Sequence, residues 1–377
     1  MLVPLYILVL GFHPRHAVAL SNATILGGAI ANTVLNASIT STAPVDWDLI
    51  LMMEPGTIGA AVVGSLLAKV LPAGLLSLLL SAVLVLMGHK TLRRGIGMWR
   101  TETRGMTQCA ASGSAAPEVE LRTVAALPAQ QEGACAGGAR APGGRPGTGT
   151  VAQKVALLTL CFLGTCALAM LKGGSGPMAS PVGVVCGSLA WWLLLVAEIP
   201  WVLAFALYFR DLLVAEYSDR IASGPKFSPG ELEWDSRNTI RYPLVASAAG
   251  LVAGIFGVGG GIIKGPLMLE MGVSPAVAST SSAVMILYTS ASATVSYVGL
   301  GLLQADYAAM LFVLGVACTV LGQFLARRLS GGSRQSPVVL SIGAVLLGSA
   351  CAVAVSALAG IVASGSAYLL DVGGVCH

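Results

Sequence analysis

The stretch GIFGVGGGIIKGP, from Gly254 to Pro266, combines six glycines, one cation (Lys264) and no acidic residue. Glycine is costly inside a helix, so the run Gly259, Gly260, Gly261 favours an unwound turn and Pro266 a new helix start. A helix N-terminus presents unpaired N–H groups and the positive end of its dipole, which suits an anion. Gly257, Gly259, Gly260, Gly261 and Pro266 are therefore candidates for an anion cradle. The spacing has a plainer use as well: Gly257, Gly261 and Gly265 recur every four residues, as in a small-residue stripe that lets another helix approach. Nucleotide chemistry is excluded. A P-loop needs Gly-Lys-Ser/Thr, whereas Lys264 follows Ile263 and precedes Gly265. A dinucleotide fingerprint needs an acidic residue about twenty positions later, and Glu270 comes too early.

Hydroxyls form the second group of candidates. At about 100° per residue, Ser281, Ser282, Thr289, Ser292 and Ser296 fall on one side of a helix. Hydroxyls donate to oxyanion oxygens without carrying charge. The first half of the chain offers Ser21, Thr24, Gly28 and Asn32 on a similar face. Singly, such groups more often bond their own backbone or a neighbouring helix, at about 0.6 kcal/mol each. Two charged residues join the list. Lys264 can face an anionic substrate, but its place near a span end favours snorkelling to the interface. Glu54, beside Pro55 inside an apolar run, is the costliest carboxylate by position, and intramembrane acids are candidate proton relays. Asp48 and Asp306 sit at helix starts, where N-capping is expected. The serines have no His or Lys base on a matching face, which argues against a hydrolase and against enzymatic chemistry generally.

The elements that must position these groups follow from composition. The 377 residues are 55% hydrophobic and 10% charged, with mean hydropathy +0.83. Soluble domains carry about 25% charge, so this chain is solvated by a bilayer. Crossing hydrocarbon takes roughly 20 apolar residues. Apolar runs predict spans near 16–37, 48–70, 73–88, 153–172, 182–209, 241–263, 276–299, 305–328 and 336–360, with a short piece at 1–12: nine or ten helices and an all-α polytopic membrane protein. Net charge of +4 gives no reason to expect a nucleic-acid partner. Lys90, Arg93, Arg94, Arg100, Arg104, Arg122, Arg140 and Arg145 gather in 89–152, which the positive-inside rule places in the cytosol. Arg327 and Arg328 fall on the opposite side by this count of spans. The eight cysteines show no metal-ligand spacing and no disulfide framework. His13, His16, His89 and His377 are scattered, and neither a metal nor another cofactor is expected.

Residues 105–152 are dominated by Ala, Gly and Pro and read as a disordered linker. The mixed charges of 210–240 read as a short cytosolic helix plus loop. On either side of these segments the chain resembles itself. Gly11, Pro14, Ala17 and Ser21 match Gly272, Pro275, Ala278 and Ser282 at one offset; Asp48, Gly64, Ala68 and Lys69 match Asp306, Gly322, Ala326 and Arg327 at another. Internal repeats of membrane helices are usual in secondary transporters, with the substrate where the repeats meet. Pro266 has a glycine run before it, whereas its counterpart Pro4 has only Met1, Leu2 and Val3. The expected organisation is a first repeat at 1–88 lacking its front end, a cytosolic linker at 89–152, two connecting helices at 153–209, a cytosolic loop at 210–240 and a second repeat at 241–377.

The pattern GLVAGIFGVGGGIIKGPLMLEMGVSPAVASTSS resembles the signature of the TauE/SafE, or sulfite exporter, family. VPLYILVLGFHPRHAVALSNATILGGAIAN and DWDLILMMEPGTIGAAVVG in the first half are similar to its eukaryotic branch, which has a long central loop. The resemblance implies a multi-helix transporter exporting a small sulfur-containing anion such as sulfite or an organosulfonate. A homo-oligomer is compatible with this. The competing expectation is a membrane adaptor that transports nothing and recruits cytosolic proteins through its loops.

Overall fold

The structure, a computed structural model, describes residues 2–39, 45–111, 151–173, 180–222, 238–271, 273, 275–329 and 336–364. Among these residues there are eleven helices: α1 Leu2–Leu8, α2 Pro14–Ile39, α3 Trp47–Val70, α4 Ala73–Ala111, α5 Val151–Lys172, α6 Leu189–Ala222, α7 Asn238–Phe256, α8 Gly261–Glu270, α9 Pro275–Gly299, α10 Ala305–Leu329 and α11 Ser336–Ser364. Eight of them are long and apolar enough to cross a membrane. The protein is thus an all-α, multi-pass membrane protein. The remaining three differ in kind. α1 has seven residues and α8 ten, too short to cross, while α9 has the length at 25 residues but is rich in Ser and Thr.

The described residues form two compact units, one of 2–17, 71–111, 320–329 and 336–364, the other of 18–39, 45–70, 151–173, 180–222, 238–271, 273 and 275–319. In the first, α4 and α11 lie along each other and α1 rests on α11. Glycines set the approach: a Cβ at Gly88 would stand 2.9 Å from the Leu347 side chain, and one at Gly343 3.1 Å from the Leu92 backbone. Ser81 also donates across to the Ala350 carbonyl at 3.0 Å.

The second unit is built around α3, which packs against α5, α6, α7 and α9. Its contacts fix the sense of each helix. At one end the Asp46 N–H donates to Ser281 Oγ at 3.0 Å; at the other, Lys69 Nζ donates to the Leu300 carbonyl at 3.1 Å. α3 and α9 therefore run in the same sense. α7 follows them, with Gly250 against Thr57 and Gly254 against Ala61 and Gly64. Backbone meets backbone there, which is why both helices carry glycine at the contact. Lys154, which directly follows the basic 89–152 connection, pairs with Asp48.

α8 reverses this sense. Gly257 lies against Val18 and Ser21, whereas Lys264 reaches back to Glu54. Met268 and Val273 then pack in one cluster with Leu49, Ile50 and Met53 near the start of α3. α7 and α8 form a hairpin, so the continuous helix expected over 241–263 is corrected: it ends at Phe256, where the glycines turn the chain back.

Other expectations shift at element ends. α4 continues to Ala111, because no proline falls between Pro72 and Pro117 to stop it. The linker expected from 89 is thus helical at its start, and 112–150 lie outside the described residues. α6 likewise runs on to Ala222, with 223–237 outside them. Cys186, in the α5–α6 connection, is disulfide-bonded, contrary to the expectation drawn from cysteine spacing.

Candidate functional site

The site grows from the break between α7 and α8. Gly257 and Gly259 adopt φ values of 61° and 72°, a left-handed conformation that side chains resist. The last bond of α7 runs from the Gly257 N–H to Ala253 O at 2.9 Å, and α8 opens with Lys264 N–H to Gly260 O at 3.0 Å. A break within hydrocarbon leaves carbonyls without helical partners, and each must be satisfied by protein. Two hydroxyls do this. Ser21 of α2 donates to the Gly257 carbonyl at 2.7 Å, and Tyr297 of α9 donates to the Gly254 carbonyl.

One turn into α8, Lys264 is fully buried, at 0% exposure. Its Nζ donates to Glu54 Oε2 at 2.7 Å, to Thr289 Oγ1 at 2.8 Å and to Thr57 Oγ1 at 3.2 Å. All three N–H groups of the ammonium are used. Glu54, also at 0% exposure, accepts at its other oxygen from Thr289 Oγ1 at 2.6 Å. Thr57 donates in turn to the Glu54 carbonyl at 2.8 Å. At 1.5 Å per residue, Glu54 lies about 10 Å inside α3 from Trp47 and about 24 Å from Val70. The pair sits well within the hydrocarbon region. A charge at such depth survives only with a partner, and these two are each other's partner.

The expectation that Lys264 snorkels is therefore corrected. The turn at the glycines points its side chain into the bundle, where Glu54 already waits. Pro266 does not start the helix: α8 begins at Gly261, and Pro266 lies inside it. The four-residue glycine stripe is not one packing face either. Gly257 faces α2 and Gly261 faces Ile286 of α9, while a Cβ on Gly265 would meet nothing within 4 Å. Of the cradle glycines, Gly260 lies closest to the charge, its Cβ position being 3.7 Å from Lys264 Nζ.

The hydroxyl stripe divides along α9. Thr289 joins the ion pair. Ser281 sits eight residues away, about 12 Å along the helix, and accepts from the Asp46 N–H. Ser282 bonds its own backbone, to Ser279 O at 3.0 Å, and Ser292 bonds Thr289 O at 2.9 Å. Ser296 meets Ser65 of α3. In α2, Ser21 reaches the break, whereas Asn32 is eleven residues on, about 16 Å along the helix, and accepts from Asn36 at 3.4 Å. Ser282 and Asn32 therefore fall outside the site. The cap of α3 is Asp46, whose Oδ1 accepts from the Leu49 N–H at 3.2 Å, rather than Asp48, which pairs with Lys154. Thr57 and Tyr297 are site residues that the helical-wheel argument missed. The pairing of Glu54 with Lys264 did have a signal: an acid and a base, each costly alone in an apolar bundle, are expected to find each other. Among the described residues no cluster of His, Cys, Asp and Glu is arranged to hold a metal.

A polytopic bundle whose half-helix turns back at membrane depth onto a buried charge pair has the construction of a membrane transporter. Comparison with known proteins gives the family. A sulfite exporter TauE/SafE family profile matches residues 154–353, and the chain belongs to that family, whose members are membrane transporters. Among its relatives in Arabidopsis thaliana, sulfite exporter TauE/SafE family protein 5 is 25% identical over 347 residues, covering 91% of this chain and 75% of the relative. Family protein 2 is 26% identical over 359 residues, with coverage of 91% and 75%. Family protein 3 is 26% identical over 361 residues, with coverage of 92% and 71%. No solved structure matches.

Proposed function

We propose that this protein is a secondary transporter that exports a small sulfur-containing anion, sulfite or an organosulfonate, through the site where α8 begins. The observation that carries this reading is Lys264: a fully buried cation one turn into a half-helix whose N-terminus lies inside the membrane. The ammonium and the first N–H groups of α8 supply positive potential in a low-dielectric setting. A tetrahedral or pyramidal oxyanion needs several donors around one charge, and Lys264, Thr289, Thr57 and the backbone of Gly259–Gly261 stand together there. The names of the relatives favour sulfite among such anions. We also read the chain as a duplication in which α2 corresponds to α9. Ser21, near the start of α2, lies by the Gly257 turn, at the end of α3 far from Asp48, so α2 runs opposite to α9. Opposed repeats flanking a broken helix are the arrangement in which transporters bind substrate near the midplane.

The test is efflux of 35S-labelled sulfite from proteoliposomes holding the purified protein. Lys264→Met and Gly259→Leu are expected to abolish efflux, whereas Ser282→Ala, whose hydroxyl only bonds its own helix, should leave it unchanged. Unaltered efflux from Lys264→Met would refute the site. Absence of efflux from the unaltered protein would favour the adaptor reading instead.

A further inference from the structure

The bonding around Glu54 and Lys264 carries a consequence for what drives transport, and it rests on the transport reading above. Lys264 Nζ has three N–H groups and three acceptors, Glu54, Thr289 and Thr57. An arriving anion finds no donor free on the ammonium. It gains one when an acceptor lets go; Glu54, the one charged acceptor, competes most directly with an anion, and a carboxylate released within hydrocarbon is costly unless it takes up a proton.

The surroundings accommodate both states of that carboxyl. Thr289 Oγ1 lies 2.6 Å from Glu54 Oε1 and 2.9 Å from the Met285 carbonyl, yet a hydroxyl has a single hydrogen. With Glu54 ionised, that hydrogen points to Oε1. With Oε1 protonated, Glu54 donates to Thr289, and the hydroxyl hydrogen turns to Met285 O. The Thr289 hydroxyl keeps an acceptor in either case. Around Glu54 the other titratable groups are Lys264 from α8 and the Cys161 thiol of α5. Among the described residues no charged group of α6, α7 or α9 bonds it.

We propose that Glu54 and the transported anion are alternative partners of Lys264, so that each monovalent anion is carried together with one proton held on Glu54. The bookkeeping of charge closes. The empty site holds Glu54 carboxylate and Lys264 ammonium, net zero. The loaded site holds neutral Glu54, Lys264 ammonium and the anion, also net zero. Movement of either form transfers no charge across the membrane. Flux then responds to the anion gradient and the pH gradient but not to the membrane potential, and export follows where the product of proton and anion activities is higher inside.

Methanesulfonate is a suitable probe, because it stays monovalent and unprotonated over the working pH range, so any proton that moves with it is held by the protein. Proteoliposomes containing a trapped pH dye are given an inward methanesulfonate gradient, with the potential clamped by potassium and valinomycin. The expected result is lumen acidification that tracks uptake of labelled anion and is the same at every clamped potential. Uptake without acidification, or uptake that rises with an inside-positive potential, overturns the proposal. If wild-type protein moves neither labelled sulfite nor methanesulfonate, the transport reading itself fails. A second measurement needs no movement: infrared difference spectra of the wild-type protein in detergent, with and without sulfite at fixed pH. Sulfite should bring up a protonated-carboxyl band that Glu54→Gln lacks. Absence of that band in the wild type overturns the proposal even if the variant does not fold.

Discussion

Replacing Lys264 by methionine isolates the energetics of the buried pair. The substitution keeps the length of the side chain and removes the ammonium. Glu54 then retains one donor, the Thr289 hydroxyl, and its charge lies uncompensated about 10 Å inside α3. Breaking a buried ion pair from one side costs about 3–5 kcal/mol. The two hydroxyl bonds lost with it, at about 0.6 kcal/mol each in membrane proteins, are the smaller part. The folding equilibrium should therefore fall by roughly two to four orders of magnitude. Glu54→Gln should cost less, since the ammonium keeps three dipolar acceptors. The double variant Glu54→Gln/Lys264→Met should be milder than the sum of the singles, because no buried charge remains. SDS-driven unfolding in mixed micelles measures all three. A loss below about 1 kcal/mol for Lys264→Met at a pH high enough to keep Glu54 ionised would mean that the ammonium is solvated at an interface, and would refute the buried pair and the site built on it.

The glycines give sharper contrasts. Gly250→Ala would place a Cβ 2.8 Å from the Thr57 Cα, where backbone cannot yield, and should destabilise the protein by about 1–3 kcal/mol in the same assay. Gly265→Ala, with nothing within 4 Å of the new atom, should be tolerated. Gly257→Ala must hold a left-handed conformation at about 1–2 kcal/mol with its Cβ 2.8 Å from the Val18 carbonyl, and should lower both stability and labelled-sulfite efflux. Asp46→Ala should cost about 1 kcal/mol through loss of the α3 cap; an equal loss in Asp306→Ala, where no cap bond is seen, would argue against assigning the cost to capping.

Much of the architecture was legible without coordinates because membrane solvation leaves a coarse signal. A run of about 20 apolar residues is needed to cross, and the runs near 16–37, 48–70, 153–172 and 305–328 became α2, α3, α5 and α10 with small changes at their ends. The cost of glycine in a helix likewise marked the break at Gly257–Gly260. Sequence periodicity carries no information on the direction of the chain after such a break. Hydropathy read 241–263 as one continuous helix because apolar residues are needed equally by a span and by a hairpin buried in protein.

Sequence alone was enough to read the solvent, the helices and the chemistry available: a few acids and bases and a set of hydroxyls in a bundle with little charge. Tertiary structure decided which of these meet. Lys264 and Glu54 are 210 residues apart, and their contact depends on α8 folding back along α3. A helical wheel groups Ser281, Ser282 and Thr289 because it reports angle around an axis. It does not report depth along the helix or which neighbouring helix is present at that depth, so only Thr289 reaches the charge pair. Local sequence sets the cost of each buried polar group, but whether that cost is offset depends on partners brought from elsewhere in the chain.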